Sequence, residues 1–297
     1  HREVVAGMKG VKLPAIGRIE ISIIEEFLPE LLSFEKGELD YVGLGGQVLG
    51  RVTQDGKIRP EFAARGVRHV RSVQPSLTFT YFNMDDPQLG GTTPDRIALR
   101  RAIGMGFNTP DFIRVMYHNQ ARPANQLLPP HVEGHDASLP AKAPYDSAAA
   151  RALLDRFGYK DRDGDGWREM PDGKPFVLVH SSLPDSWSRE ADTLWLKSME
   201  AIGIRMRVNT APFADLLKQS LAGQLPMFNL GYRALDPSGS QILATLWGHS
   251  PPDTNRSRFR LPEYDAAYEA FLRTAPGPER NALAKRTQLS QSRGPSI

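Results

Sequence analysis

The chain has 297 residues, 40% of them hydrophobic and 24% charged, and its 37 basic and 34 acidic residues leave a net charge of +3. This is a globular composition, long enough for one large domain or two modest ones, and it excludes disorder and, with no run near the roughly 18 apolar residues of a bilayer span, a membrane-embedded chain. The absence of cysteine removes disulfides, thiolate metal sites and thiol nucleophiles, and the basic residues form no block of the kind a nucleic-acid footprint requires.

The sequence opens at His1 without Met or an apolar leader, as expected if a leader was removed or never included. Arg18 to Ile24 alternates like a strand. Phe27, Leu28, Leu31 and Leu32 then recur at helical spacing before Gly37, a helix stop. Asp40 to Val42 starts another strand. Beyond a polar, glycine-rich stretch, Val67 to Val73 alternates, and so do Leu77, Phe79 and Tyr81 against Ser76, Thr78 and Thr80 as far as Asn83. Two strands are predicted there. The turn residues between Asp85 and Thr93 mark the best boundary between two lobes.

Thr93-Pro94-Asp95 and Thr109-Pro110-Asp111 both carry the chemistry of a helix start: a capping hydroxyl, Pro at the first position, and an acid toward the positive end of the dipole. Arg122 to Tyr145 carries Pro123, Pro129, Pro130, Pro140 and Pro144, and reads as an extended segment that covers something. Ser147 to Phe157 is a helix closed by Gly158. From Phe176 to Arg233 the pattern is β-α-β-α-β: strands at 176–179, 204–208 and 227–232, helices at 186–202 and 213–222. Open sheets of this kind gather ligands beyond the carboxyl ends of their strands, which directs attention to Gly231 through Gln241. Two helices, 263–273 and 278–291, close the chain.

Three motifs carry possible chemistry. Asp161, Asp163, Asp165 and Gly166 match the first half of a calcium loop, but Asp172 stands where a bidentate Glu belongs, and an Asp- and Gly-rich turn needs no metal. His131, Glu133 and His135 space two imidazoles as a metal-dependent hydrolase would, although Pro129-Pro130 and Gly134 argue against the helix such a site needs. Gly43-Leu44-Gly45-Gly46 lacks the third glycine and the lysine of a phosphate cradle. With no nucleophile elbow and no catalytic constellation, the residues suggest a binding protein that is not an enzyme.

The succession Gly37-Glu38-Leu39-Asp40-Tyr41-Val42, Tyr81-Phe82-Asn83, Pro94-Asp95-Arg96 through Arg100-Arg101-Ala102-Ile103, Arg122-Pro123-Ala124 and Leu128-Pro129-Pro130 resembles the extracytoplasmic solute-binding proteins of family 5, the peptide/nickel class. Tyr145-Asp146 through Gly158-Tyr159-Lys160-Asp161, Ile202-Gly203-Ile204, Asp236-Pro237 and Pro262-Glu263-Tyr264-Asp265 extend the likeness over nearly the whole chain. The resemblance implies an α/β, two-lobed periplasmic-binding-protein-like fold, incomplete here, with 1–88 part of lobe one and 89–297 lobe two. It implies a monomer in the periplasm that closes on a peptide or other small solute and delivers it to an ABC permease, without cofactor, metal or nucleic acid. Thr287 to Ile297 departs from the expected continuation.

The same resemblance places ligand-binding residues at Tyr81 and Asn83 from lobe one and at Gly231, Tyr232, Arg233 and Asp236 from lobe two. Trp187 and Trp247 are further ring walls or core residues. Peptide-binding members carry an acid suited to an ammonium group a few residues before the Asp-Pro step, and here that place falls on Arg233. A guanidinium holds a carboxylate or phosphate instead, which implies an anionic ligand; pairing with Asp236 is the structural alternative.

Overall fold

The computed structural model describes residues 12, 14–139 and 143–293. Pro140 and the last four residues of the tail lie outside them. The N-terminal unit comprises α1 (Phe27–Glu35), α2 (Gly46–Val52), the two-residue strands β1 (Thr53–Gln54) and β2 (Lys57–Ile58), and α3 (Pro60–Ala63), closed over Leu31, Val48, Val52 and Phe62. Gly45 caps α2 directly beneath Phe27, where a Cβ would sit 2.6 Å from the ring. The glycine cluster that fails as a phosphate cradle thus lets two helices meet.

The rest of the chain forms β3 (Ser76–Phe82), α4 (Pro94–Gly106), α5 (Thr109–Tyr117), α6 (Ser147–Arg156), β4 (Leu178–Ser182), α7 (Ser186–Glu200), β5 (Met206–Thr210), α8 (Phe213–Leu221), β6 (Met227–Arg233), α9 (Ser240–Ala244), α10 (Pro262–Arg273) and α11 (Pro278–Arg293). The β-α-β-α-β succession is present, its first two strands each starting two residues later than their apolar runs. Helix α5 is capped by Asn108, one residue before the expected Thr109; its side chain accepts the Asp111 N–H.

One four-stranded sheet has the order β3-β6-β4-β5, with β4 parallel to both neighbours and β3 antiparallel to β6 over seven residues. One face packs on α4, α6 and α7 through Phe82, Met227, Leu178, Leu99, Ile103, Leu154 and Trp195. The opposite face meets α8 through Tyr81, Phe228 and Leu216, and α9, α10 and α11 through Leu77, Leu243 and Phe271. The proline-rich segment inserts Leu127, Leu128 and Val132 into this second core, so it does cover something. Gln288 of α11 accepts the Leu128 N–H and donates to the Gly134 carbonyl, which docks the tail as far as α11 extends.

Two expectations change. Residues 18–24, 40–42 and 67–73 form no β-ladder among the described residues, and Ile19, Ile21, Ile23, Tyr41 and Val70 stand exposed. Alternation shows that one face of a segment wants cover; a strand also needs a neighbour to bond. The break at 88/89 does not separate structural units, because β3 lies in the same sheet as β4–β6. Its turn is a fixed corner. The Asn83 N–H donates to the Pro226 carbonyl and the Met84 N–H to that of Ser257, both at 2.8 Å. The buried Arg100 guanidinium donates to the carbonyls of Leu89 and Gly91. Gly90 is required, since a Cβ would lie 2.3 Å from the Met84 carbonyl oxygen.

Candidate functional site

The antiparallel register of β3 on β6 divides the six expected ligand residues. Tyr81 faces Phe228 and Ser76 faces Arg233, so Tyr81 and Asn83 lie near the amino end of β6, about 17 Å from Arg233 at a rise of ~3.4 Å per residue. They do not share a mouth with the others. The Tyr81 hydroxyl is 2.7 Å from that of the wholly buried Ser220, and burial raises its pKa. The Asn83 amide donates to the Gly223 carbonyl at 2.8 Å while its oxygen accepts the Asp85 N–H. Both are structural at this end.

Gly231, Tyr232, Arg233 and Asp236 lie together at the carboxyl end. The Arg233 guanidinium donates to Gln74 Oε1 at 2.6 Å, and no carboxylate pairs with it among the described residues. The expected alternative, an Arg233–Asp236 pair, is therefore not formed. Asp236 instead accepts the Ser238 N–H and the Gln241 amide, and Gln241 in turn accepts the Tyr232 hydroxyl at 3.0 Å. Burial first, and Asp236 second, raise the Tyr232 pKa. The loop is braced from behind, where the Glu133 N–H donates to the Pro237 carbonyl at 2.7 Å.

Alternation along the strands assigns the sheet faces at this end. Phe82 and Met227 belong to the α4/α7 side, so Thr80, Thr78 and Ser76 on β3 and Asn229, Gly231 and Arg233 on β6 share that side. Toward the carboxyl edge the covering helices run out: Ser76, Thr78, Gly231 and Arg233 are exposed, and a Cβ at Gly231 would meet nothing within 4 Å. Asn229 is half-buried, and its Oδ1 has no hydrogen-bond partner. On β4 the same side carries His180 and Ser182. The Ser182 hydroxyl donates to Asp192 of α7 at 2.6 Å; His180 Nε2 is 3.6 Å from that carboxylate and the ring stacks on Trp195. Burial holds His180 down at about 4 and pushes Asp192 up, so near neutral pH the imidazole is uncharged. Asn229, Thr78 and Thr80 were missed in the sequence because their alternation with apolar residues read as ordinary solvent-facing strand.

The remaining motifs resolve differently. His131 has φ +70° in a turn, Glu133 pairs with Arg280 at 3.6 Å, and His135 Nδ1 meets the Leu128 carbonyl at 2.8 Å. Neither a helix nor a cluster of metal-ligating groups unites the three, which corrects the hydrolase alternative. Asp161, Asp163 and Asp165 do converge with Glu169, all within 4.8 Å. Their oxygens accept loop N–H groups of residues 164, 165, 166, 167 and 162, and Asp165 also pairs with Arg205. Trp187 packs edge-on against Phe112 and Tyr117, and Trp247 against the α10 core. No helix among the described residues is long and apolar enough to cross a membrane.

Comparison with known proteins follows the same outline. Residues 7–253 match the family model "Bacterial extracellular solute-binding proteins, family 5 Middle". The chain is 27% identical over 193 residues to Di/tripeptide-binding protein 2 of Pseudomonas aeruginosa (strain UCBPP-PA14), covering 64% of this chain and 34% of that protein. It is 26% identical over 223 residues to the glutathione-binding protein GsiB of Salmonella typhi, covering 72% and 40%. Among solved structures it superposes on the periplasmic binding protein DppA of Helicobacter pylori in complex with the peptide STSA, with a TM-score of 0.71 at 19% identity, over 90% of this chain and 47% of that one. The chain thus spans about a third of the first relative's length and less than half of the second's.

Proposed function

The chain belongs to family 5 of the bacterial extracellular solute-binding proteins, and on that footing we propose that it is part of the capturing component of an ABC importer. In this reading the protein works in the periplasm, grips a peptide or other small solute between two lobes, and hands it unaltered to a membrane permease. Lobe two contributes the carboxyl end of the sheet, where Gly231, Tyr232, Arg233 and Asp236 meet. Capture by hinged closure needs such a face to be open until the opposing lobe arrives.

The observation that carries this reading is the uncompensated Arg233 at the open end of β6. A guanidinium anchored to a neutral amide keeps its full charge for a solute, and a charge-assisted bond to a carboxylate contributes about 1.5–3 kcal/mol. It favours a carboxylate-bearing solute over a bare ammonium. Titration calorimetry of the complete polypeptide with short peptides tests the proposal: saturable one-to-one binding, with the peptide recovered intact by mass spectrometry, is expected. Absence of saturable binding, or recovery of cleaved peptide, overturns it.

A further inference from the structure

The N-terminal unit and the sheet-bearing body have separate cores. Leu31, Val48, Val52, Phe62 and the apolar residues around them share no member with the clusters built on the sheet and its helices. The chain leaves the unit through residues 68–75, which form neither helix nor strand. Residues 70–74 are all exposed, and among the described residues no backbone hydrogen bond ties 68–74 to either core. The strap is fixed at its far end, where the Gln74 side chain accepts from Arg233 and the Pro75 carbonyl accepts the Ala234 N–H. Two bodies joined by one exposed strap turn against each other about it unless a further contact holds them.

Such a contact exists. Helix α2 lies against α5, and among the described residues one hydrogen bond bridges the two bodies: the Ser186 hydroxyl donates to Glu26 Oε2 at 2.6 Å. Neither side chain serves its own helix. Glu26 holds the N-cap position of α1, but its carboxylate bonds none of the N–H groups there, being longer than the Asp or Ser side chains that cap well. Ser186 opens α7, whose N-terminus is already capped by Asp185 through the Ser188 N–H. The Glu26 carboxylate thus meets a hydroxyl donor at the positive end of a 15-residue helix, where negative charge is favoured. Phe27, next to it, packs in the unit's core over Gly45, so Glu26 travels with the unit. Ser186 follows the carboxyl end of β4 by four residues, and β4 runs parallel to β6. The contact therefore lies on the same edge of the sheet as the candidate site.

Resting on the proposed capture function, we infer that residues 27–63 form a lid, hinged on the strap between 68 and 73 and fastened to the carboxyl edge of the sheet by a Glu26–Ser186 clasp whose opening admits and releases solute. One partly exposed bond of this kind shifts a two-state balance by about tenfold, enough to hold a lid and little enough to let it open.

The first readout of the test needs no ligand. The chain has no cysteine, so spin labels on Glu61→Cys in the lid and Lys197→Cys on α7, both exposed, report the distance between the two bodies in the complete polypeptide by pulsed electron paramagnetic resonance. Ser186→Ala, and independently Glu26→Ala, are expected to raise the longer-distance population by about threefold or more at an unchanged melting temperature, and to speed dissociation of trialanine, the probe peptide, by about three- to tenfold. Unchanged distances in both variants, or shifted distances with unchanged trialanine dissociation, overturn this inference and leave the capture function standing. Shifted distances with no trialanine bound at all sustain the moving lid and overturn capture.

Discussion

At the amino end of β6 the polar groups are paired and enclosed: Tyr81 with Ser220, Asn83 with Gly223 and Asp85, and Arg100 with the carbonyls of the adjoining turn. At the carboxyl end of the same strand, Arg233 donates to the neutral Gln74 side chain and pairs with no carboxylate among the described residues, and Gly231 stands beside open space. The strands are continuous between the two ends, so the difference comes from which side chains the sequence places along them and where the covering helices stop. A polar group committed to a buried hydrogen bond stabilises the fold, and one left uncommitted at the surface is available to a ligand. Substitutions at the closed end are therefore expected to change stability with little effect on binding, and those at the open end the reverse.

The largest stability effect is expected at Arg100. Its guanidinium is buried, burial lowers its pKa to about 10, and it still carries its proton at any physiological pH. Arg100→Ala strands the buried carbonyl of Leu89 and loosens the turn that leads from β3 to α4. A loss of about 3–4 kcal/mol is expected in urea denaturation. A loss under 1 kcal/mol would place the corner's rigidity elsewhere.

A comparable effect, tuned by pH, is expected from His180 on β4, level with the closed amino end of β6. Its folded pKa, about 4, lies below the ordinary imidazole value of 6.5 because burial disfavours the charged ring. Between those values the unfolded chain binds a proton that the folded chain refuses, so the contribution is intact above pH 6.5 and is lost as pH falls toward 4. The full difference is roughly 3 kcal/mol. Urea midpoints of wild type and His180→Gln measured from pH 7.5 to 4.5 should converge as pH falls; parallel curves would show that the imidazole does not titrate in this interval.

Tyr81→Phe sharpens the contrast at smaller scale. It leaves the wholly buried Ser220 hydroxyl without its partner and should cost about 1–2 kcal/mol, with peptide affinity unchanged because the group lies at the far end of the strand. Weakened binding at unchanged stability would bring Tyr81 back into the mouth.

How far this division could be read in the sequence depends on the kind of signal. Helix-start chemistry located α4, and apolar patterning located α1, α6, α7, α8, α10 and the β-α-β-α-β unit, since each needs only one buried stripe; Gly37, Gly158 and Gly223 close α1, α6 and α8 with positive φ. The rule for open sheets directed attention to Gly231 through Gln241, and the family resemblance chose Gly231, Tyr232, Arg233 and Asp236 within it. Neither showed that β3 runs antiparallel to β6, and that single fact sends Tyr81 and Asn83 to the opposite end from Arg233. Strand direction is settled by which edges find each other, which no local pattern encodes. Ile19, Ile21 and Ile23 make the same point from the other side, with full alternation and no ladder. Asn229 was illegible for a different reason: a polar residue in a strand looks the same whether it faces solvent or a covered side of the sheet.

The smallest stability effect and the clearest separation of the two ends are expected at Gly231. A glycine inside a strand sacrifices roughly 0.5–1 kcal/mol relative to a residue with a side chain, and here the backbone φ is ordinary and a Cβ would meet nothing. Gly231→Val should therefore leave the urea midpoint unchanged or slightly raised, as a β-branched residue suits the pleat. If a ligand backbone lies against β6, however, the new isopropyl group stands where that backbone must go, and affinity should fall by more than tenfold. A variant that is both as stable and as tight-binding as wild type would mean that the open space at Gly231 is only solvent, and that the ligand is held beyond the end of the strand by Arg233 and the loop after it.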